Sequence, residues 1–222
     1  MNVLITGATR GIGAGFVRHY LSKECHVWAC FRSDMGELAS IKSDYLHLLC
    51  WDVATDSEPK GELPGKIDLL INNAGIYGPG KDGQTLENVT AEAMLEVFNI
   101  DCIGPLRVVK QLKERLVMAK GVVANISSKM GSSGDNGSGG TYAYRAAKAG
   151  LVIVSKSMAV DLGGAGVRVI TLHPGWVMTD MTHQTGLVDI ETSVSGMSSV
   201  IEHVDEYEAG SFIAFDGKVV PY

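Results

Sequence analysis

Short apolar runs alternate with amphipathic stretches along the whole chain, and this alternation predicts its secondary structure. The apolar runs are rich in β-branched and aliphatic side chains, which is typical of parallel strands buried on both faces. The predicted strands are Val3–Thr6, His26–Phe31, Tyr45–Cys50, Ile67–Asn72, Gly121–Ser127, Val167–Leu172 and Ser211–Phe215. The predicted helices are Gly13–Ser22, Met35–Ser40, Ala91–Ala119 (with room for a break), Tyr144–Leu162 and Ile190–His203. Strands that alternate with helices indicate an α/β fold with a doubly wound parallel sheet of about seven strands.

Two glycine-rich stretches, Gly78–Gly83 and Gly131–Gly140, are predicted to be loops. No internal repeat or linker divides the chain, and 222 residues suffice for one sizeable core. The sequence therefore predicts a single domain over residues 1–222.

Composition and charge narrow the function. The chain is 45% hydrophobic and carries a net charge of −6, so nothing favours nucleic acid or an anionic membrane as a partner. No apolar run is long enough to span a bilayer, and the N-terminus enters a strand pattern at once, so we expect a cytoplasmic protein. The four cysteines and six histidines lack metal-ligand spacing, so we expect free thiols and no metal.

Tyr144 precedes Lys148 by four residues at the start of a predicted helix, which places both side chains on one helix face. An ammonium beside a phenol favours the phenolate, so we expect Lys148 to lower the pKa of Tyr144 from about 10. Such a tyrosine can exchange a proton with an alcohol or carbonyl oxygen. Tyr142 would need a lysine at the position of Ala146 to do the same. Taken alone, the pair is more typical of a solvated helix surface.

Thr6-Gly7-Ala8-Thr9-Arg10-Gly11-Ile12-Gly13 follows the first predicted strand and opens the first helix. Glycines at this point allow a tight turn and close backbone approach, and the helix N-terminus attracts a pyrophosphate. The alternative is a plain glycine turn. Its place directly after the first strand of an α/β pattern favours dinucleotide binding.

The end of the second predicted strand bears on the choice of dinucleotide. Folds that bind NAD tend to place an acidic residue there, whereas this chain has Phe31 and Arg32. Arg32 and Arg10 could both pair with a 2′-phosphate, which favours NADP(H) over NAD(H). Further on, Asp52 and Val53 follow the third strand, where the aspartate is either an adenine acceptor or a cap.

Three further segments lie at the ends of predicted strands. The fourth strand ends with Asn72-Asn73-Ala74-Gly75, and the fifth ends with Asn125-Ile126-Ser127-Ser128. The sixth is followed by His173-Pro174-Gly175-Trp176-Val177-Met178-Thr179. In this order with the glycine loop and Tyr-x-x-x-Lys, these segments resemble the short-chain dehydrogenase/reductase family over nearly the whole chain. The resemblance implies a Rossmann-type fold, the second serine, Ser128, as catalytic, and Lys148 on the nicotinamide ribose. The residues alone leave Ser127 and Ser128 open. Motifs and resemblance together assign cofactor binding to Gly7, Thr9, Arg10, Gly11, Ile12, Gly13, Arg32, Asp52, Val53, Asn73, Ala74, Gly75, Tyr144, Lys148, Pro174, Gly175, Val177 and Thr179.

Within the family, three segments are similar to those of C-factor-like and sniffer-type carbonyl reductases: Ser-Gly-Gly-x-Tyr-x-Tyr-Arg, Pro-Gly-Trp-Val-x-Thr-Asp-Met and Phe-x-x-Phe-Asp-Gly. One position departs from the family. Asp101 stands where the family has an asparagine that holds a water linking the lysine to solvent. An aspartate either keeps the lysine protonated or weakens that relay. The alternative is that Asn99 serves through a local helix shift.

The sequence thus predicts an NADPH-dependent enzyme that reversibly reduces a small carbonyl compound to an alcohol, with Ser128, Tyr144, Lys148 and Asp101 as catalytic residues. One alternative is a cofactor-binding signalling or regulatory protein with little turnover. Another, an epimerase or dehydratase of nucleotide sugars, would need more chain after Thr179. The segment from about residue 176 is expected to lie beside the substrate. Family members include monomers, dimers and tetramers, so a homodimer or homotetramer stays open.

Overall fold

All seven strands form one parallel sheet in the order β3-β2-β1-β4-β5-β6-β7 in a computed structural model that describes residues 1–222. The strands are β1 (Asn2–Ile5), β2 (His26–Phe31), β3 (Leu46–Cys50), β4 (Leu69–Asn72), β5 (Val122–Ile126), β6 (Arg168–His173) and β7 (Phe212–Ala214). Each predicted strand is confirmed, with ends that differ by at most two residues.

Five α-helices connect the strands: α1 (Gly11–Ser22), α2 (Ala91–Phe98), α3 (Gly104–Ala119), α4 (Tyr142–Gly163) and α5 (Ile190–Glu202). The break expected within Ala91–Ala119 is a π-helical turn over Asn99–Ile103. The short helix expected at Met35–Ser40 is a 3₁₀ turn, Gly36–Ser40. The loop expected at Gly78–Gly83 runs into a second 3₁₀ turn at Lys81–Gln84.

The hydrophobic core lies in two layers because successive strand residues face opposite sides of the sheet. On one side, Val3 and Ile5 of β1 pack with Phe16 of α1 and Met197 of α5. On the other side, Leu4 packs with residues of α3 and α4, such as Leu112 and Leu162. The sheet is therefore covered on both faces, as the uninterrupted apolar strands require.

Strand order fixes where a ligand can sit. The chain runs from β1 outward to β3, then returns to the other side of β1 to form β4. The loops after β1 and β4 therefore separate at their carboxyl ends and leave a crevice between them, the usual ligand site of doubly wound sheets. None of the helices combines the length and apolar character that crossing a bilayer requires.

Candidate active site

The glycine loop after β1 is packed so closely that side chains would not fit. Gly7 has a left-handed φ of +61°, and a Cβ there would lie 2.7 Å from the Cα of Ala74. A Cβ at Gly13 would collide with the carbonyl oxygen of Gly7 and lie 2.6 Å from Nδ2 of Asn73. Asn73 also braces the loop, because its Nδ2 donates to the carbonyl oxygens of Thr6 and Gly7 at 3.2 and 2.9 Å. The turn thus leaves the N-terminus of α1 open towards the crevice.

A cleft of about 790 Å³ lies along this loop. Most of the predicted cofactor-binding residues line it: Gly7, Thr9, Arg10, Gly11, Ile12, Gly13, Arg32, Asp52, Val53, Asn73, Ala74, Gly75 and Thr179. The others, Tyr144, Lys148, Pro174, Gly175 and Val177, are not among its lining residues. Val177 is buried, and Gly175 adopts a φ of +89° against the ring of Phe215.

The charged side chains at the β2 end of the cleft differ in whether they have a partner. Arg10 pairs with Asp180 at 3.3 Å, and both side chains are largely exposed. No hydrogen bond or ion pair engages the Arg32 guanidinium. Two carboxylates that the sequence analysis did not consider, Asp34 and Glu37, also line the cleft. Asp34 accepts a hydrogen bond from the backbone N–H of Gly36, and Glu37 pairs with Arg18.

Asp52 behaves partly as a cap. Its Oδ1 accepts the backbone N–H of Ala54 at 3.0 Å, while the side chain stays half-buried in the cleft wall. A turn-stabilising role and contact with a ligand are therefore both compatible with its position.

A buried chain of polar groups fixes α4 to the sheet. Nδ2 of Asn72 in β4 donates to Oδ1 of Asn125 in β5 at 2.8 Å, and Nδ2 of Asn125 donates to the hydroxyl of Ser155 in α4 at 2.8 Å. Buried amides cost free energy unless they are paired, so this chain disfavours other placements of the helix.

Lys148 is held at both its backbone and its ammonium. Its Nζ donates to the carbonyl oxygen of Ile126 at 3.1 Å, and its own carbonyl oxygen accepts the hydroxyl of Ser127 at 2.9 Å. The Nζ lies 5.6 Å from the centre of the Tyr144 ring, so the two side chains share the helix face that their spacing predicts. Tyr144 is 9% exposed, whereas Tyr142 is 37% exposed.

The structure separates the roles of the two serines. The hydroxyl of Ser127 is buried on the Lys148 backbone and is not directed towards a ligand. The hydroxyl of Ser128 is half-buried beside the phenol of Tyr144 and accepts the backbone N–H of Met130 at 3.2 Å. Ser128 is therefore the serine that lies with Tyr144.

The π-helical turn directs Asp101 into the site. Its Oδ2 lies 3.1 Å from Nζ of Lys148, and its Oδ1 accepts the backbone N–H of Ile76 at 2.8 Å. Asn99 points elsewhere, since its side chain binds the carbonyl oxygen of Ala54 and the guanidinium of Arg107. The alternative in which Asn99 replaces Asp101 is therefore wrong.

Lys148 lowers the pKa of Tyr144 as expected, but the net shift of that pKa is upward. Burial raises the pKa of Tyr144, and although Lys148 and the Ser128 hydroxyl lower it, Asp101 and Tyr77 add to the increase. Desolvation of the phenol depends on the whole fold and therefore cannot be read from the spacing of Tyr144 and Lys148. Burial disfavours a charged Lys148, but Asp101 and Tyr144 outweigh it and raise the pKa of the ammonium.

Two supporting residues were missed. Gln84 is fully buried, accepts the backbone N–H of Tyr144 at 3.0 Å and donates to the carbonyl oxygens of Tyr77 and Pro79. It satisfies a free N–H at the start of α4, where Thr141 has left-handed φ and makes no side-chain cap. A glutamine in a polar loop gives no sequence signal for such a contact.

The other is Arg145, which anchors the long loop expected at Gly131–Gly140. Its guanidinium donates to the carbonyl oxygens of Met130 and Gly140 and to the hydroxyl of Ser138. These contacts tie both ends of the loop to the first turn of α4. No residue of the loop lines the cleft.

Comparisons with known proteins agree with this geometry. The sequence profile of the family described as short chain dehydrogenase matches residues 1–187. The C-signal of Myxococcus xanthus is 39% identical over 159 residues, which are 71% of this chain and 94% of that protein. The NADPH-bound carbonyl reductase from chicken fatty liver is 30% identical with a TM-score of 0.88, covering 100% of this chain and 98% of that one. The carbonyl reductase Sniffer of D. melanogaster is 26% identical with a TM-score of 0.90, at 100% and 99% coverage.

Proposed function

The chain belongs to the short-chain dehydrogenase family and is an NAD(P)-dependent oxidoreductase, and from this premise we propose that it uses NADPH to reduce a carbonyl compound reversibly to an alcohol. One observation carries the proposal. Tyr144 is buried beside Ser128 and Lys148. Asp101 contacts Lys148 on one side and Gly75 and Ile76 on the other. Because Gly75 and Ile76 line the cleft, the buried tyrosine lies next to it.

The cleft fits a dinucleotide. Its floor is backbone without Cβ atoms at Gly7 and Gly13, and it ends at the N-terminus of α1, where a pyrophosphate would be stabilised. Gly7, Gly11, Ile12 and Gly13 would hold the phosphates, and Asp52 and Val53 the adenine. Asn73, Ala74 and Gly75 would line the path towards the nicotinamide, with Pro174, Gly175, Val177 and Thr179 on its other side. When bound, the nicotinamide supplies the hydride.

Arg32 and Arg10 support a preference for NADPH. Arg32 lies at the end of β2 with its guanidinium free, and Arg10 is engaged only by an exposed ion pair, which costs little to exchange. The carboxylates of Asp34 and Glu37 line the same cleft and are the groups that would accept a ribose hydroxyl if NADH were preferred. The chicken relative's bound NADPH is in keeping with this assignment.

Three side chains of the protein would carry out and assist the proton transfer to the carbonyl oxygen. Tyr144 donates its phenolic proton to the carbonyl oxygen as general acid during reduction and takes it back during oxidation. Ser128 donates a hydrogen bond to the same oxygen and stabilises the charge that develops there. Lys148 remains an ammonium, binds the nicotinamide ribose and favours the phenolate left after proton transfer.

The substrate is proposed to be small or flat. Trp176, Met178 and Met181 follow the Pro-Gly segment and are substantially exposed, at 52, 39 and 44%. They offer a shallow apolar surface, which suits a compact carbonyl compound better than a large one.

A signalling or regulatory role is a second candidate, and the name of one relative favours it. C-signal is 39% identical to this chain. The buried Tyr144 with its lysine and serine favours turnover instead, because a protein that only binds a cofactor has no need of a general acid. The two functions predict different results with isolated protein.

A carbonyl panel tests the proposal. NADPH and NADH oxidation would be followed side by side with ketones, aldehydes and quinones. We expect turnover with at least one compound class and a higher kcat/KM with NADPH. Cofactor binding without turnover on any compound would favour the regulatory role, and better turnover with NADH would contradict the role given to Arg10 and Arg32.

A further inference from the structure

The buried carboxylate of Asp101 adds a charge to the site that the reaction itself does not require. We propose that Asp101 is a positioning residue whose charge offsets the ammonium of Lys148, so that Tyr144 serves as proton donor up to a higher pH and as proton acceptor only at a more alkaline pH. This inference rests on the proposed function, since it assigns a proton donor to the same tyrosine. It goes further by specifying the pH range in which the site works in each direction.

Geometry makes Asp101 a fixed partner of the ammonium. The side chain is 0% exposed, and its Oδ2 lies 3.1 Å from Nζ of Lys148. That contact is an ion pair between two buried groups of opposite charge. Oδ1 is bound by the backbone N–H of Ile76, and a Cβ at Gly75 would lie 3.2 Å from Oδ2. The carboxylate therefore has little room to turn away.

The titratable groups around Tyr144 and Lys148 come from three segments. Lys148 lies on α4 itself, Asp101 and the buried thiol of Cys102 lie on the π-helical turn, and Tyr77 from the loop after β4 places its ring 5.2 Å from that of Tyr144. Asp101 is the carboxylate in this group. Its negative charge offsets the ammonium that would otherwise stabilise a phenolate.

The consequence follows from the two protonation states of the phenol. Reduction needs the phenol, which donates a proton, whereas oxidation needs the phenolate, which accepts one. With Asp101 charged, the phenolate forms beside a nearly neutral ion pair instead of beside a bare cation. An asparagine at position 101 would fill the same space and accept the Ile76 N–H without carrying a charge.

The test compares the native enzyme with Asp101→Asn over a range of pH in both directions. In the variant, we expect the apparent pKa of the group that must be deprotonated for oxidation to fall by about one unit. Oxidation should then begin, and reduction should decline, at a pH lower by the same amount, because the equilibrium constant of the reaction fixes the ratio of kcat/KM in the two directions at each pH. Asp161→Asn, which changes an exposed carboxylate of α4, is the matched control and should leave both profiles unchanged.

Unchanged pH profiles in folded Asp101→Asn would overturn the proposal, as would a shift towards higher pH. A second measurement needs neither substrate nor that variant. The phenolate absorbance of native protein minus that of Tyr144→Phe reports the ionisation of Tyr144 alone. We expect this phenolate to reach half of its full amount only above the usual pKa of tyrosine, about 10. A midpoint below that pH would refute this inference without bearing on carbonyl reduction, which the substrate panel tests separately.

Discussion

The chemistry of this site depends on how deeply single side chains are buried. Lys148 is 5% exposed and Asp101 is 0% exposed, yet each has a partner of opposite charge. Gln84 is also fully buried and uses both its oxygen and its nitrogen on backbone groups. Unpaired, each of these groups would cost several kcal/mol or change its protonation state. Their pairing fixes the first two turns of α4, through Tyr144 and Lys148.

His173, at the end of β6, gives a prediction about stability. Its Nδ1 accepts the backbone N–H of Lys129 at 3.2 Å, and burial, aided by the charge of Lys129, lowers its pKa to about 4. In the unfolded chain, histidine takes up a proton near pH 6.5. The folded protein therefore loses free energy of unfolding as the pH falls through 6.5 towards 4, by about 2 kcal/mol at pH 5.

Urea unfolding at pH 7 and pH 5 measures this effect, with His173→Asn as the comparison. Asparagine keeps an acceptor for Lys129 but does not titrate, so the variant should lose less stability between the two pH values. The other histidines contribute equally to both proteins and cancel in the difference. Equal losses would show that His173 is not the group responsible.

The secondary-structure elements show which parts of the fold the sequence predicts. Strands such as His26–Phe31 were located because short apolar runs alternate with amphipathic stretches, and this alternation also indicated a parallel sheet. The π-helical turn at Asn99–Ile103 could not be located, because it reflects how α2 and α3 pack and has no residue pattern of its own. That turn decides that Asp101 rather than Asn99 reaches Lys148. The net pKa of Tyr144 was missed for a related reason, since burial depends on the whole fold.

The junction of β1 and α1 leaves no room for a side chain at Gly13. In Gly13→Ala, the added methyl group would collide with the Gly7 carbonyl oxygen and press on Asn73. We expect a loss of stability of about 1–3 kcal/mol and NADPH binding weakened by at least tenfold. Thermal unfolding and NADPH fluorescence titration measure the two effects.

Gly65→Ala is the matched control, because a Cβ there meets no atom within 4 Å and its φ is not left-handed. It should change stability by no more than about 0.5 kcal/mol and leave binding intact. If Gly13→Ala bound NADPH as tightly as the control, the glycine loop would not be the cofactor site.

At the scale of the whole molecule, the sheet brings distant segments to one edge. The glycine loop, the Asn-Asn-Ala-Gly segment and Ser128 follow β1, β4 and β5, which are neighbours in the sheet although far apart in sequence. The sequence indicated this edge because the carboxyl ends of parallel strands meet there. The contacts of Gln84 and Arg145 at the same edge were not predictable, since they depend on loop conformations without a repeating pattern.

The central claim is that Tyr144 is the proton donor in NADPH-dependent carbonyl reduction, and Tyr144→Phe tests it most directly. Tyr142→Phe is the control, since it removes the same hydroxyl from an exposed neighbour in the same helical turn. On the best substrate of the carbonyl panel, single-turnover NADPH oxidation should slow by about 10²–10⁴-fold in Tyr144→Phe. The NADPH dissociation constant should stay within a few-fold of the native value, and Tyr142→Phe should react at the native rate. Native turnover by Tyr144→Phe would contradict the claim.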